Sequence, residues 1–81
     1  MQKVLIVHDS AIARENLRHQ LRPAGFECIE ARDALSGLQR AVEDRPAAVI
    51  VARTLAGLDG DEMRRVLASD SQTEHLPVLL A

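Results

Sequence analysis

The sequence predicts an α/β domain built on a parallel sheet, and three observations lead there. Val4-Leu5-Ile6-Val7 and Ala47-Ala48-Val49-Ile50-Val51-Ala52 are continuous apolar runs with the length and β-branched content of strands buried on both faces. Between and after them lie segments whose apolar residues recur three or four apart, the period of a half-buried helix. Clusters of proline, glycine and aspartate separate the two kinds of segment. Strands alternating with helices imply right-handed crossovers and parallel neighbours.

In order, residues 3–7 form the first strand, and Ser10 is a suitable N-cap for a helix over 11–22. In that helix Ala13, Leu17 and Leu21 make the buried stripe, with Arg14, Glu15, Arg18, His19 and Arg22 on the other faces. Pro23 and Gly25 end it. Residues 27–31 are a short second strand carrying Cys28 and Ile29. Asp33 caps a second helix with an apolar face of Ala34, Leu35, Leu38, Ala41 and Val42, stopped by Asp44-Arg45-Pro46. The third strand ends at Ala52. Asp59 and Glu62 have capping-box-like spacing for a helix over 60–68 whose apolar side is Met63, Val66 and Leu67. A polar loop over 69–75 leads to a last apolar strand at 76–81, where Pro77 is tolerated near the start. Three short helices barely cover four strands, so either the helices are spread thinly or something outside this chain supplies the missing layer.

Composition bounds the function. Eighty-one residues make one domain, near the lower limit for a hydrophobic core. The only aromatic residue is Phe26, so stacking on nucleic-acid bases has almost nothing to work with. A net charge of −2, from 10 basic and 12 acidic residues, argues against a broad nucleic-acid or anionic-membrane surface. Cys28 is alone, which excludes an internal disulfide and fits a reducing cytoplasm. No apolar run approaches membrane-spanning length, and the N-terminus lacks a signal-peptide pattern.

In open parallel sheets, chemistry collects beyond the carboxyl ends of the strands. The residue at that place on the third strand is Ala52, which neither binds a metal nor accepts a phosphoryl group.

The stretches KVLIVHDS (3–10), PAGFECIEA (23–31), RPAAVIV (45–51), GLDG (57–60) and LPVLLA (76–81), with the Leu17/Leu21 helix, occur in one order and spacing that resembles a response-regulator receiver domain of two-component signalling. The resemblance spans the whole chain. It implies a three-layer flavodoxin-like fold with strand order 2-1-3-4, continuing in the family through a fifth strand and further helices, so this chain is expected to be the N-terminal part of a longer receiver domain. It also implies site positions. Two adjacent carboxylates hold Mg²⁺ after the first strand in the family; here they are His8 and Asp9. The phosphoacceptor aspartate is replaced by Ala52, and the metal-binding carbonyl two residues later belongs to Thr54. The switch hydroxyl and the lysine of the family lie beyond Ala81.

Mg²⁺ needs hard oxygen ligands, and phosphoryl transfer needs a nucleophile in line. Without them the chain resembles a degenerate receiver, or pseudo-receiver, with no catalytic residue, metal or cofactor. His8 is either a pH-sensing or partner-binding group or a relic of the lost metal site. Asp9 is expected to bond a backbone N–H of the loop after Ala52, with residual metal binding and an Arg53 pair as the less favoured readings. Cys28 is read as strand packing, and Arg64-Arg65 as a solvated helix face. The three histidines lack zinc-site spacing.

The expected function is therefore a phosphorylation-independent, cytoplasmic signalling module that binds protein partners or itself, and neither nucleic acid nor membrane. A fragment of a regulator with an output domain, or a small flavodoxin-like ligand-binding domain, are the alternatives. An exposed last strand, with Leu76, Val78 and Leu80 at the contact, predicts a homodimer.

Overall fold

Four strands and three helices alternate in the expected order in the computed structural model, which describes residues 2–81. They are β1 (Lys3–Val7), α1 (Ala11–Leu21), β2 (Glu27–Ala31), α2 (Ala34–Glu43), β3 (Ala48–Val51), α3 (Gly60–Ser69) and β4 (Val78–Leu80). All pairings are parallel and the order is β2-β1-β3-β4. This is a flavodoxin-like arrangement.

Side-chain alternation explains how the helices divide between the two faces. Leu5, Val7, Val49 and Val51 point to one face and join Ala34 and Ala41 of α2 and Met63 and Leu67 of α3 in a single buried cluster. The register places Glu30, Ile6, Ile50 and Leu79 side by side on the opposite face. There α1 lies over β1 and β2, tied down by Arg14 and Arg18, whose guanidinium groups donate to Glu30 at 3.1 and 2.5 Å. No second helix among the described residues shares that face.

Each helix starts on a side-chain cap. Ser10 Oγ accepts from Ala13 N–H, Asp33 Oδ1 from Ser36 N–H, and Asp59 Oδ1 from Glu62 N–H. The helix ends differ. Gly25 takes φ 90° after a 3-10 turn at Arg22–Ala24, and Arg45 takes φ 47° to leave α2 before Pro46. At the end of α3 the Thr73 hydroxyl, from the following loop and only 2% exposed, donates to the Leu67 carbonyl at 2.7 Å.

Several local expectations change. The first helix is shorter by Arg22, and its stripe of Ala13, Leu17 and Leu21 is half-buried rather than buried, because α1 covers its face alone and shares the contact with Arg14 and Arg18. On α2, Leu35 and Val42 stand exposed while Gly37 is buried, since a residue without a side chain brings the helix close to β1. Val66 likewise faces outward. Within 69–75, Thr73 is core. The last strand is only Val78–Leu80, and Leu76, expected at an interface, is buried in the α2/α3 core.

Two predictions follow from this packing. A Cβ at Gly37 would lie 2.8 Å from Val7 Cγ2 and from Met63 Cε. Met63 can move, but Val7 is a β-branched residue on a buried strand. Gly37→Ala is therefore expected to destabilise the fold by about 1–3 kcal/mol, although alanine is favoured in a helix by about 1 kcal/mol; urea unfolding measures the sign.

The second concerns acid. The Ser36 N–H and hydroxyl hold the Asp33 carboxyl below its ordinary range, and the Arg64 guanidinium does the same for Asp61. A carboxyl lowered by folding binds its proton more readily in the unfolded chain. Its contribution is thus full above the ordinary aspartate pKa of about 3.9 and is lost as pH falls through the folded value. The urea midpoint should fall on acidification through that window, and Asp33→Asn should flatten the fall. Identical acid limbs for the two proteins would contradict the assignment.

Candidate functional site

Two loop starts meet at the carboxyl end of the sheet. The β1 exit carries His8 and Asp9, whose backbone is set when His8 N–H donates to the Ala31 carbonyl at 3.0 Å. The β3 exit carries Ala52, 3% exposed, whose N–H donates to the Val7 carbonyl at 2.9 Å. The family-equivalent positions on β1 and β3 are therefore neighbours in space, as parallel pairing of these strands requires. Thr54 lies in the exposed bend that follows, and Leu55 returns to the core.

The floor of this crevice is tight. Gly60 N–H donates to the Arg53 carbonyl at 3.0 Å, and a Cβ at Gly60 would sit 2.2 Å from the Ala52 carbonyl oxygen. Only glycine lets the start of α3 approach the end of β3 so closely. The position of residue 52 is thus fixed by backbone packing and does not depend on any group its side chain might hold.

His8 has two competing partners. Its Nδ1 lies 3.1 Å from Ser10 N and 3.3 Å from Asp9 Oδ1. Nδ1 cannot both accept from an N–H and donate to a carboxylate. The Ser10 N–H is a donor that must be satisfied at the start of α1, and its contact is the shorter, so Nδ1 accepts and the ring proton sits on Nε2. Arg14 braces the same loop, donating to the His8 carbonyl at 2.7 Å while it also donates to Glu30.

These residues do not fit Mg²⁺. Ala52 offers no side-chain oxygen, His8 offers a soft nitrogen that is already accepting a hydrogen bond, and Asp9 is the sole carboxylate. Among the described residues, no group of three or more His, Cys, Asp or Glu side chains is placed to hold a metal ion. Asp9 also takes no hydrogen bond from the loop after Ala52 and no ion pair with Arg53; its side chain is 58% exposed and faces His8 instead.

The other singled-out residues fall away from the crevice. Arg64 and Arg65 both pair with Asp61 on the exposed side of α3. Cys28 is half-buried on β2, where burial first and the Glu30 charge second push its thiol up, against a smaller pull from Arg18 and Arg22. That favours the unreactive thiol. Sequence reasoning missed the brace of Arg14, Arg18 and Glu30. The signal was available: two arginines four apart on α1, and a glutamate whose place in β2 alternates onto the α1 face.

No protein-family model matches the chain. It is 32% identical over 77 residues to the phosphate regulon transcriptional regulatory protein PhoB of Pseudomonas aeruginosa, a match that covers 95% of this chain and 34% of that protein. To the polar-differentiation response regulator DivK of Brucella anthropi it is 30% identical over 78 residues, covering 96% of this chain and 63% of the relative. A high-resolution structure of a chemotaxis response regulator of Vibrio cholerae superposes with TM-score 0.91 at 31% identity, covering 99% of this chain and 67% of that one. The chain spans from about a third to two thirds of the length of these curated relatives. The strand order 2-1-3-4, the meeting of the β1 and β3 exits and this similarity lead to one conclusion: the chain belongs to the receiver domains of two-component response regulators.

Proposed function

We propose that this receiver signals without phosphorylation, by binding proteins. The observation that carries the reading is Ala52. It stands where the end of β3 meets the end of β1, and its methyl group has no lone pair with which to attack phosphorus. Asp9 is displaced toward solvent and is no substitute nucleophile in line. In this reading the module is a cytoplasmic pseudo-receiver with no catalytic activity and no cofactor. It contacts neither nucleic acid nor membrane, which its net charge of −2 supports. Any output carried by a longer protein belongs to the same proposal.

Self-association is the second part. Ala81 N–H donates to the Val51 carbonyl and Val49 N–H to the Pro77 carbonyl. In a parallel ladder alternate residues face the neighbour, so Val78 and Leu80 turn their N–H and C=O groups outward. Beside that edge lies Leu79, 58% exposed, next to half-buried Ile50 on the part of the α1 face that α1 does not reach. The 81-residue chain is proposed to pair with a second copy here, through the backbone of Val78 and Leu80 and the side chain of Leu79. Burying each such apolar side chain is worth roughly 1.5–3 kcal/mol before ordering costs.

The two parts are tested separately. Incubation with acetyl phosphate and Mg²⁺ should leave the intact mass unchanged, and an adduct of one phosphoryl group on any aspartate would overturn the first. Sedimentation at micromolar concentration should show a dimer that Leu79→Lys dissociates. A folded monomer, or a dimer indifferent to that change, would overturn the second.

A further inference from the structure

The chain carries a second apolar surface, remote from β4. Leu35, Val42 and Val66 are 70%, 40% and 41% exposed, and all three lie along the seam between α2 and α3. Leu35, Leu38 and Val42 follow one another at i, i+3 and i+7, a single stripe of α2. The inward side of the same helix is built from small residues, Ala34, Gly37 and Ala41, which draw α2 onto the sheet. The larger side chains are thereby left to the side, facing α3.

Two hollows share Leu38. One, of about 320 Å³, runs between the start of α2 and the loop before α3, lined by Leu35, Ala56, Gly57 and Leu58. The other, of about 130 Å³, lies between α2 and α3, against Val42, Val66 and Leu67. Together they make a groove two helical turns long. The charged side chains that line it are Asp33 at one end and Asp70 at the other, and no cation lines it. Glu62, exposed four residues before Val66, stands on the same side of α3.

We propose that this groove docks a basic amphipathic helix of a partner protein. The shape selects a helix. One wall is α2 and the other is the 56–58 loop followed by α3, so an incoming extended strand would find no sheet edge here on which to pair its own backbone groups. The spacing selects anchors at i, i+3 or i+4, and i+7, matching the stripe of Leu35, Leu38 and Val42. The acidic ends select lysine or arginine on either side of those anchors. A second copy of this chain does not supply such a ligand. Its remaining outward helix face, on α1, offers Ile12 as its one exposed large apolar residue. The proposal does not depend on the fate of Ala52.

The test uses a fluorescein-labelled, helix-stapled peptide with leucines at i, i+3 and i+7 and lysines at both ends, titrated by anisotropy. Saturable binding is expected, weakened roughly tenfold or more by Leu35→Lys or Val66→Lys, by glutamates in place of the peptide lysines, and by added salt. Both substituted positions are exposed, so the variants should melt as the parent does, and that measurement separates lost docking from lost folding. The proposal is overturned by equal binding of the acidic peptide, by binding indifferent to Leu35→Lys, or by no saturation up to about 1 mM. Self-association of the parent that Leu35→Lys abolishes would overturn it too, by making a second copy the occupant.

Discussion

A strand buried on both faces has to be covered on both, and in this molecule the two faces are covered unequally. On one, α2 and α3 share a cluster that includes Leu5, Val7, Val49, Val51, Met63 and Leu67. On the other, α1 alone shields β1 and β2, fixed by the bonds from Arg14 and Arg18 to Glu30. The well-covered face gives the domain its stability, and the thinly covered one leaves Ile50 and Leu79 open. The asymmetry also accounts for α1, which spans eleven residues and buries none of them. Its grip on the sheet is by charge-assisted hydrogen bonds as much as by apolar area.

The carboxyl end of the sheet is held in shape by backbone bonds and close packing. Backbone bonds from His8 to Ala31 and from Ala52 to Val7 set the two exits. Gly60 lets α3 press on the carbonyl of Ala52, and Arg14 holds the carbonyl of His8. None of these contacts uses a metal or a phosphoryl group. At these exits the chain has an alanine, Ala52, and an imidazole, that of His8, engaged with the start of α1.

Much of this was legible in the residues. The two apolar runs gave the buried strands, and Ser10, Asp33 and Asp59 gave the caps. What escaped was the sidedness that only packing decides. Helical period alone made Leu35, Val42 and Val66 core residues, because period reports a face and not how far it is covered. Gly37 reversed that reading on α2 by letting the helix sit close to Val7. Leu76 read as part of an exposed strand, yet the strand begins two residues later and Leu76 is buried in the main core cluster. Thr73 was hidden in a polar loop because its burial depends on one bond to the end of α3.

On the function proposed above, the crevice between the β1 and β3 exits takes neither Mg²⁺ nor a phosphoryl group. Amide spectra recorded while Mg²⁺ and then the phosphoryl mimic beryllofluoride are added report on that crevice directly. The account predicts that the resonances of His8, Asp9, Ala52 and Thr54 stay in place throughout both additions. Saturable shifts at those four residues, lost on Asp9→Ala, would contradict it.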